Sequence, residues 1–199
     1  YLEQNTQLPE SEILEHQLRE CFARVDYSHK THEKQADITS NNLGHFKLAQ
    51  VALSALTSSG ALATLFAEDF YIKCATAAVS LVSLFVTGYM KGFDPGAVAQ
   101  KHRDTAADLW SIRESYLSFL TDYAKGTISR DSACNRRDKL QAELAAIYKS
   151  APGTTSKSYA SAQEALQKLE DYTFNPGEID KFLHPALKRD SKRKNSSSK

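Results

Sequence analysis

The chain has 199 residues, with 25 Lys or Arg against 24 Asp or Glu, a formal charge of +1 and a mean hydropathy of −0.46. Near-neutral charge argues against nucleic-acid binding, which needs cations clustered along one face to neutralise phosphates. The three cysteines, Cys21, Cys74 and Cys134, are far apart and odd in number, which excludes a disulfide framework or a zinc spacing.

The first predicted element is an amphipathic helix. Pro9, Glu10, Ser11 and Glu12 suit a first turn, where proline is tolerated and acids favour the positive end of the dipole. Leu14, Leu18, Cys21, Phe22 and Val25 then recur at spacings of three and four, so one apolar stripe faces a partner helix. After Tyr27 the sequence turns polar with His29, Lys30, Thr31, His32, Glu33 and Lys34. His29 and His32 share a helix face, but two histidines without placed third and fourth ligands do not make a metal site. We read them as solvated or hydrogen-bonded side chains close to a membrane. Ser40, Asn41, Asn42, Leu43 and Gly44 predict that the helix relaxes before the membrane, at the end of an N-terminal cytosolic element over residues 1–45.

Apolar residues are concentrated in the next quarter of the chain. The twenty residues 48–67 contain no charge, and neither do the seventeen residues 74–90. About 20 mostly apolar residues cross a bilayer as a helix. Two such runs in tandem predict a transmembrane hairpin over 46–90, with spans of about 46–67 and 70–90 and a turn at Glu68, Asp69 and Phe70. The central hairpin of a large soluble bundle is the competing reading. Lys30, Lys34 and Lys47 precede the first span, Lys91, Lys101 and Arg103 follow the second, and only Lys73 lies between them. The positive-inside rule then places both termini in the cytoplasm. The first dozen residues lack an apolar core, so the first span is expected to serve as its own insertion signal.

Beyond the spans, Asp94 is a good N-cap and Pro95 fits the first helical position, which predicts a long helix to about Lys125 with Gly126 as its stop. Leu109, Ile112, Tyr116, Leu120 and Tyr123 form its stripe, with Trp110 and Phe119 beside it. Ser129 caps a further helix carrying Leu140, Leu144, Ile147 and Tyr148. Another is expected over 156–172 with Tyr159, Ala162, Leu166 and Leu169 inward. Asn175, Pro176 and Glu178 then combine an N-cap, a first-turn proline and a capping acid ahead of a short helix that Pro185 ends. Arg113 with Glu114, the Arg136–Asp138 run, and Glu170 with Asp171 read as exposed faces. Residues 91–187 thus form a cytosolic helical bundle. Residues 188–199 read as a basic, disordered tail, with contact to anionic headgroups as its alternative. Residues 181–199 hold seven Lys or Arg and one Asp, leaving 18 cations against 23 acids in the rest. No strand signal, P-loop, dinucleotide fingerprint or nucleophile elbow is present, so we expect an all-α membrane protein that is not an enzyme and holds no cofactor or metal.

The informative pattern lies within the spans. Thr76, Ser80, Ser83 and Thr87 fall on a strip about 60° wide, and Gln50, Ser54, Thr57, Ala61 and Thr64 repeat that spacing in the first span. Ala55, Ser59 and Ala63 add a small-residue ridge that permits close helix contact. These hydroxyl stripes either pack the helices together or line a water-filled lumen. No acid or base lies mid-span, which argues against a proton relay or a selective filter.

In layout and motifs the chain resembles a SLATT domain over about residues 14–187. The resemblance is carried by His29 to Lys34, by Gln100, Lys101 and His102, and by Leu109 to Tyr116. It continues through Ile147 to Pro152, Thr154 to Ser156 and Glu178 to Leu183. It implies a two-transmembrane effector of bacterial conflict systems in the inner membrane, homo-oligomeric, and triggered by a separate sensor protein or a nucleotide second messenger. The expected function is a pore or other membrane disruption. A non-conducting scaffold that presents the bundle to a partner is the alternative.

Overall fold

A computed structural model describes residues 10–66 and 69–188; Ala67, Glu68, the opening residues 1–9 and the basic run 189–199 lie outside the described residues. The order is α1 (Glu10–Phe66), α2 (Phe70–Phe93), α3 (Pro95–Ala124), α4 (Arg130–Ser150), α5 (Ser156–Gln167), α6 (Glu178–Phe182) and a 3-10 turn (Pro185–Leu187). Among the described residues there is no strand. The upper part of α1 and all of α2 form a hairpin whose apolar stretches are long enough to cross a membrane and are not buried by the protein.

The relaxation expected at 40–44 does not interrupt the helix. α1 is one unbroken helix of 57 residues, roughly 85 Å long at 1.5 Å per residue. Gly44 has nothing within 4 Å of where a Cβ would sit, and a solvated glycine costs only about 1 kcal/mol against alanine in a helix. No proline interrupts the stretch, so propagation from the packed segments on both sides carries the helix through. The chain does break after the second span. Asp94 adopts φ 34° between α2 and α3, and its carboxylate accepts from the Ala97 N–H at 3.1 Å. Pro95 takes the first helical position, where its missing N–H costs nothing.

Below the hairpin, α1 and α3 run side by side and α4 packs on them. Leu14, Leu18, Cys21 and Val25 of α1 meet Leu109, Ile112, Tyr116 and Phe119 of α3, and Ala133 and Leu140 of α4 close the core. Phe119 is fully buried rather than beside the stripe. Each large side chain so removed from water contributes about 1.5–3 kcal/mol. Ser129 caps α4, and Gly126 takes φ 69° in the turn before it.

Two later expectations change. Helix α5 ends at Gln167, not 172, because Glu170 and Tyr172 both adopt left-handed backbone and turn the Tyr172 side chain onto α1. Its inward residues are Ser158, Ala162 and Ala165, whereas Tyr159 and Leu169 are exposed. Helix α6 begins at Glu178, two residues later than an Asn175 cap would set. The Asn175 N–H instead donates to the Glu178 carboxylate at 2.9 Å, and Gly177 at φ 80° occupies the cap position.

Candidate functional site

The hairpin seam places most of the predicted polar residues between the two spans. Gln50, Thr57, Gly60, Ala63 and Thr64 of α1 are half-buried against Thr76, Ser80 and Ser83 of α2. Gln50 Nε2 donates to Thr87 Oγ1 at 3.1 Å, a hydrogen bond joining the spans. The other hydroxyls largely bond their own helix: Thr64 to the Ala61 carbonyl, Thr76 to Ile72 and Ser80 to Thr76. The Thr57 hydroxyl is buried without a partner. A Cβ added at Gly60 would overlap the Thr76 side chain, so glycine allows the spans to approach there. Ser54, Ala55 and Ser59 face outward, away from the seam. Phe46 packs on Tyr89 with ring centroids 5.3 Å apart at the base of the hairpin.

Between the seam and the apolar core lies a polar layer. The α1 stripe of Leu14, Leu18, Cys21 and Val25 continues in register through His29, His32 and Ala36, all buried. Its α3 counterpart runs through Ala99, His102, Ala106 and Leu109. The small alanines let the helices approach, and the polar side chains between them must therefore find partners. His29 Nδ1–H donates to the Ala106 carbonyl at 2.8 Å, since a carbonyl only accepts. His32 and His102 face each other with Nδ1 atoms 3.0 Å apart, so one donates and the other accepts while both rings are neutral. Burial, and then the neighbouring His102 and His29, lower the His32 pKa to about 4. Burial also lowers that of His102.

On one side of α1 this layer opens into a cleft of about 660 Å³, lined by His29, Lys34, Asp37, Arg103, Trp110 and Tyr172 among others. Lys30 fills its wall. The ammonium spends its three protons on Asp171 at 2.8 Å, Glu33 at 3.0 Å and Tyr172 at 3.2 Å. Burial alone would lower its pKa, but these bonds outweigh it and raise it. Tyr172 donates to Glu33 at 2.6 Å and is pushed up to about 12 by burial and that carboxylate. Burial opposes ionisation of Glu33, yet the bonds from Tyr172 and Lys30 prevail and hold its pKa below the usual range. Arg113 closes the layer, bonding Asp26 and Glu114 while stacking over Trp110 at 4.8 Å and Tyr172 at 5.3 Å.

Of the two readings of His29 and His32 the hydrogen-bonded one holds and the solvated one does not, since residues 29–32 are buried, and Arg113 and Asp171 belong to this network rather than to free faces. The signal for it was present in the sequence: His29, His32 and His102 sit at the same helical spacing as the apolar residues around them. Lys34, Asp37 and Arg103 line the cleft beside the Trp110 indole, so cationic donors and a carboxylate share its wall. Among the described residues no group of three or more His, Cys, Asp or Glu could hold a metal ion.

Compared with known proteins, residues 14–178 match a family described as the SMODS and SLOG-associating 2TM effector domain, family 4. No curated protein and no solved structure matches the chain.

Proposed function

Because the chain belongs to the SMODS and SLOG-associating 2TM effector domain family, and so is a membrane effector domain of conflict systems, we propose that copies of it associate in the inner membrane and make it leak on a signal received by the bundle. The carrying observation is the continuity of α1. The helix that buries His29, Lys30 and His32 in the bundle is the same rigid rod that presents Gln50 and Thr57 in the first span. An event at the cleft is therefore transmitted without a joint. At the other end of the hairpin, Asp94 forms a bend about which α2 can pivot.

In the resting state the stripes of Gln50, Thr57, Thr64, Thr76, Ser80 and Ser83 close on each other. Turning α1 within the hairpin exposes them to the stripes of other copies, around a lumen that discriminates poorly because it carries no charge. Ser54 and the outward Ala55 and Ser59, with Ala63 at the seam edge, are then available for contacts between copies. Both termini lie in the cytoplasm in this arrangement. The trigger, a small polar ligand or a separate sensor protein, acts at the cleft beside Trp110.

Dye uptake and membrane potential after induced expression test this. Leakage that disappears when Thr76, Ser80, Ser83 and Thr87 become Val or Ala, with insertion intact, supports the lumen. Unchanged permeability in resting and triggered cells refutes it. A non-conducting scaffold is the second reading, favoured by hydroxyls that bond within their own helices; it predicts that these substitutions leave function intact while changes to the bundle surface abolish it.

A further inference from the structure

Past Gln167 the chain leaves helix and runs across the cleft as a strap. Gln167 Nε2 donates to the Tyr27 hydroxyl at 2.6 Å and pins the end of α5, where the strap begins. The strap's backbone bonds reach only α5 and itself: the Asp171 N–H donates to the Ala165 carbonyl and the Thr173 N–H to that of Glu170. Glu170 at φ 54° and Tyr172 at φ 70° hold left-handed backbone, which L side chains resist and which persists only where the surroundings enforce it. Leu169 and Phe174 on either side are exposed. Closure therefore rests on Asp171 at Lys30 and on Tyr172.

The Tyr172 ring is held as a ligand is held. Its centroid lies 5.7 Å from that of Trp110 and 5.9 Å from that of His29. Lys30 Nζ and the Arg113 guanidinium stand over its face at 4.5 and 5.3 Å, a placement that favours an electron-rich ring. The hydroxyl donates to Glu33 and accepts from Lys30. We propose that Tyr172 is a built-in occupant: the cleft is a binding site for a planar, hydroxyl-bearing aromatic ring, and the strap 168–174 closes it until such a ring takes the phenol's place. The incoming ring competes with a strained segment, not a relaxed one, and it binds only the open state, so it shifts the population towards release. Release also withdraws Asp171 from Lys30, whose ammonium keeps Glu33. Lys30 belongs to α1, so the event falls on the helix that continues into the first span. The inference deepens the trigger reading above and rests on it.

The test uses the full chain in detergent, with hydrogen exchange at the Asp171 and Thr173 amides reporting the strap. The probe is p-cresol, the tyrosine side chain as a free molecule, and Trp110 emission reads its binding. The strap amides should exchange by local opening, well before those of α3. p-Cresol should speed that exchange in the parent. It should bind Tyr172→Ala about tenfold more tightly than the parent, because no closed strap competes. Asp171→Asn, which keeps the phenol but loosens its strap, should fall between the two and decides the matter should Tyr172→Ala fail to fold. Equal binding by parent and variants overturns the occupancy, and folded Tyr172→Ala that binds no p-cresol overturns the ring site. Strap amides that exchange only in step with α3 overturn the latch. None of these readouts involves leakage, so silent dye uptake with a responsive strap refutes the leak alone, and leakage with an unresponsive strap refutes this inference alone.

Discussion

Acidifying the protein should weaken the bundle in a window set by His32 and His102. Both are buried as a neutral pair across the α1–α3 contact, 3.0 Å apart. In the unfolded chain each takes up a proton near its ordinary pKa of 6.5, whereas folded His32 resists until about 4. Between those values the unfolded state binds more protons, so stability rises with pH there and is lost as pH falls. The stabilisation is fully present above 6.5 and gone below about 4. A displacement of that size corresponds to roughly 3 kcal/mol for His32, and His102 acts in the same direction. For a chain of this length that lowers Tm by roughly 6–12 °C. Glu33 and Asp171 have lowered pKa values, so their contributions are lost only as pH falls further, beneath the carboxylate range. Trp110 is the only tryptophan and packs on His29 and Tyr172. Its fluorescence in detergent therefore follows the bundle and not the spans. The assay compares Tm across pH 4 to 7 for the parent and for the double variant His32→Gln with His102→Gln, which cannot titrate at either position. Equal slopes in the two proteins would refute the argument.

Tyr172→Phe should lower bundle stability by about 1–3 kcal/mol, because Glu33 and Lys30 lose a buried partner; denaturant melts read by Trp110 measure it. Phe119→Ala should cost about 3–5 kcal/mol as a cavity forms in a fully buried site, in the same melts. Gly60→Val should push the spans apart against Thr76, seen as a longer spin-label distance across the hairpin by pulsed electron resonance. Asn42→Pro, at about 3 kcal/mol in a helix interior, should kink α1 between bundle and span; dye uptake should then lose its dependence on the trigger while membrane insertion persists.

The two charge-free runs were legible in advance, and so were the Asp94–Pro95 break, the Ser129 cap and the apolar stripes, because each rests on local chemistry. Composition and backbone sterics act over a few residues and need no partner. The unbroken α1 was not legible: Ser40 to Gly44 have weak helix propensity, and only the packed segments on either side carry the helix across them. The polar layer was legible in spacing but not in burial. His29, His32 and His102 continue the apolar register, yet polar side chains at such positions read as solvent-facing until their partners are known.

From the sequence alone came an all-helical chain with a hairpin of two charge-free runs, since apolar length and helix signals are properties of the string. Tertiary structure decided what Lys30 and Tyr172 do, because their partners are 142 residues apart along the chain. It also decided that the hydroxyl stripes meet inside the hairpin. A helix's periodicity fixes which residues share a face; only packing against a second helix fixes what that face meets.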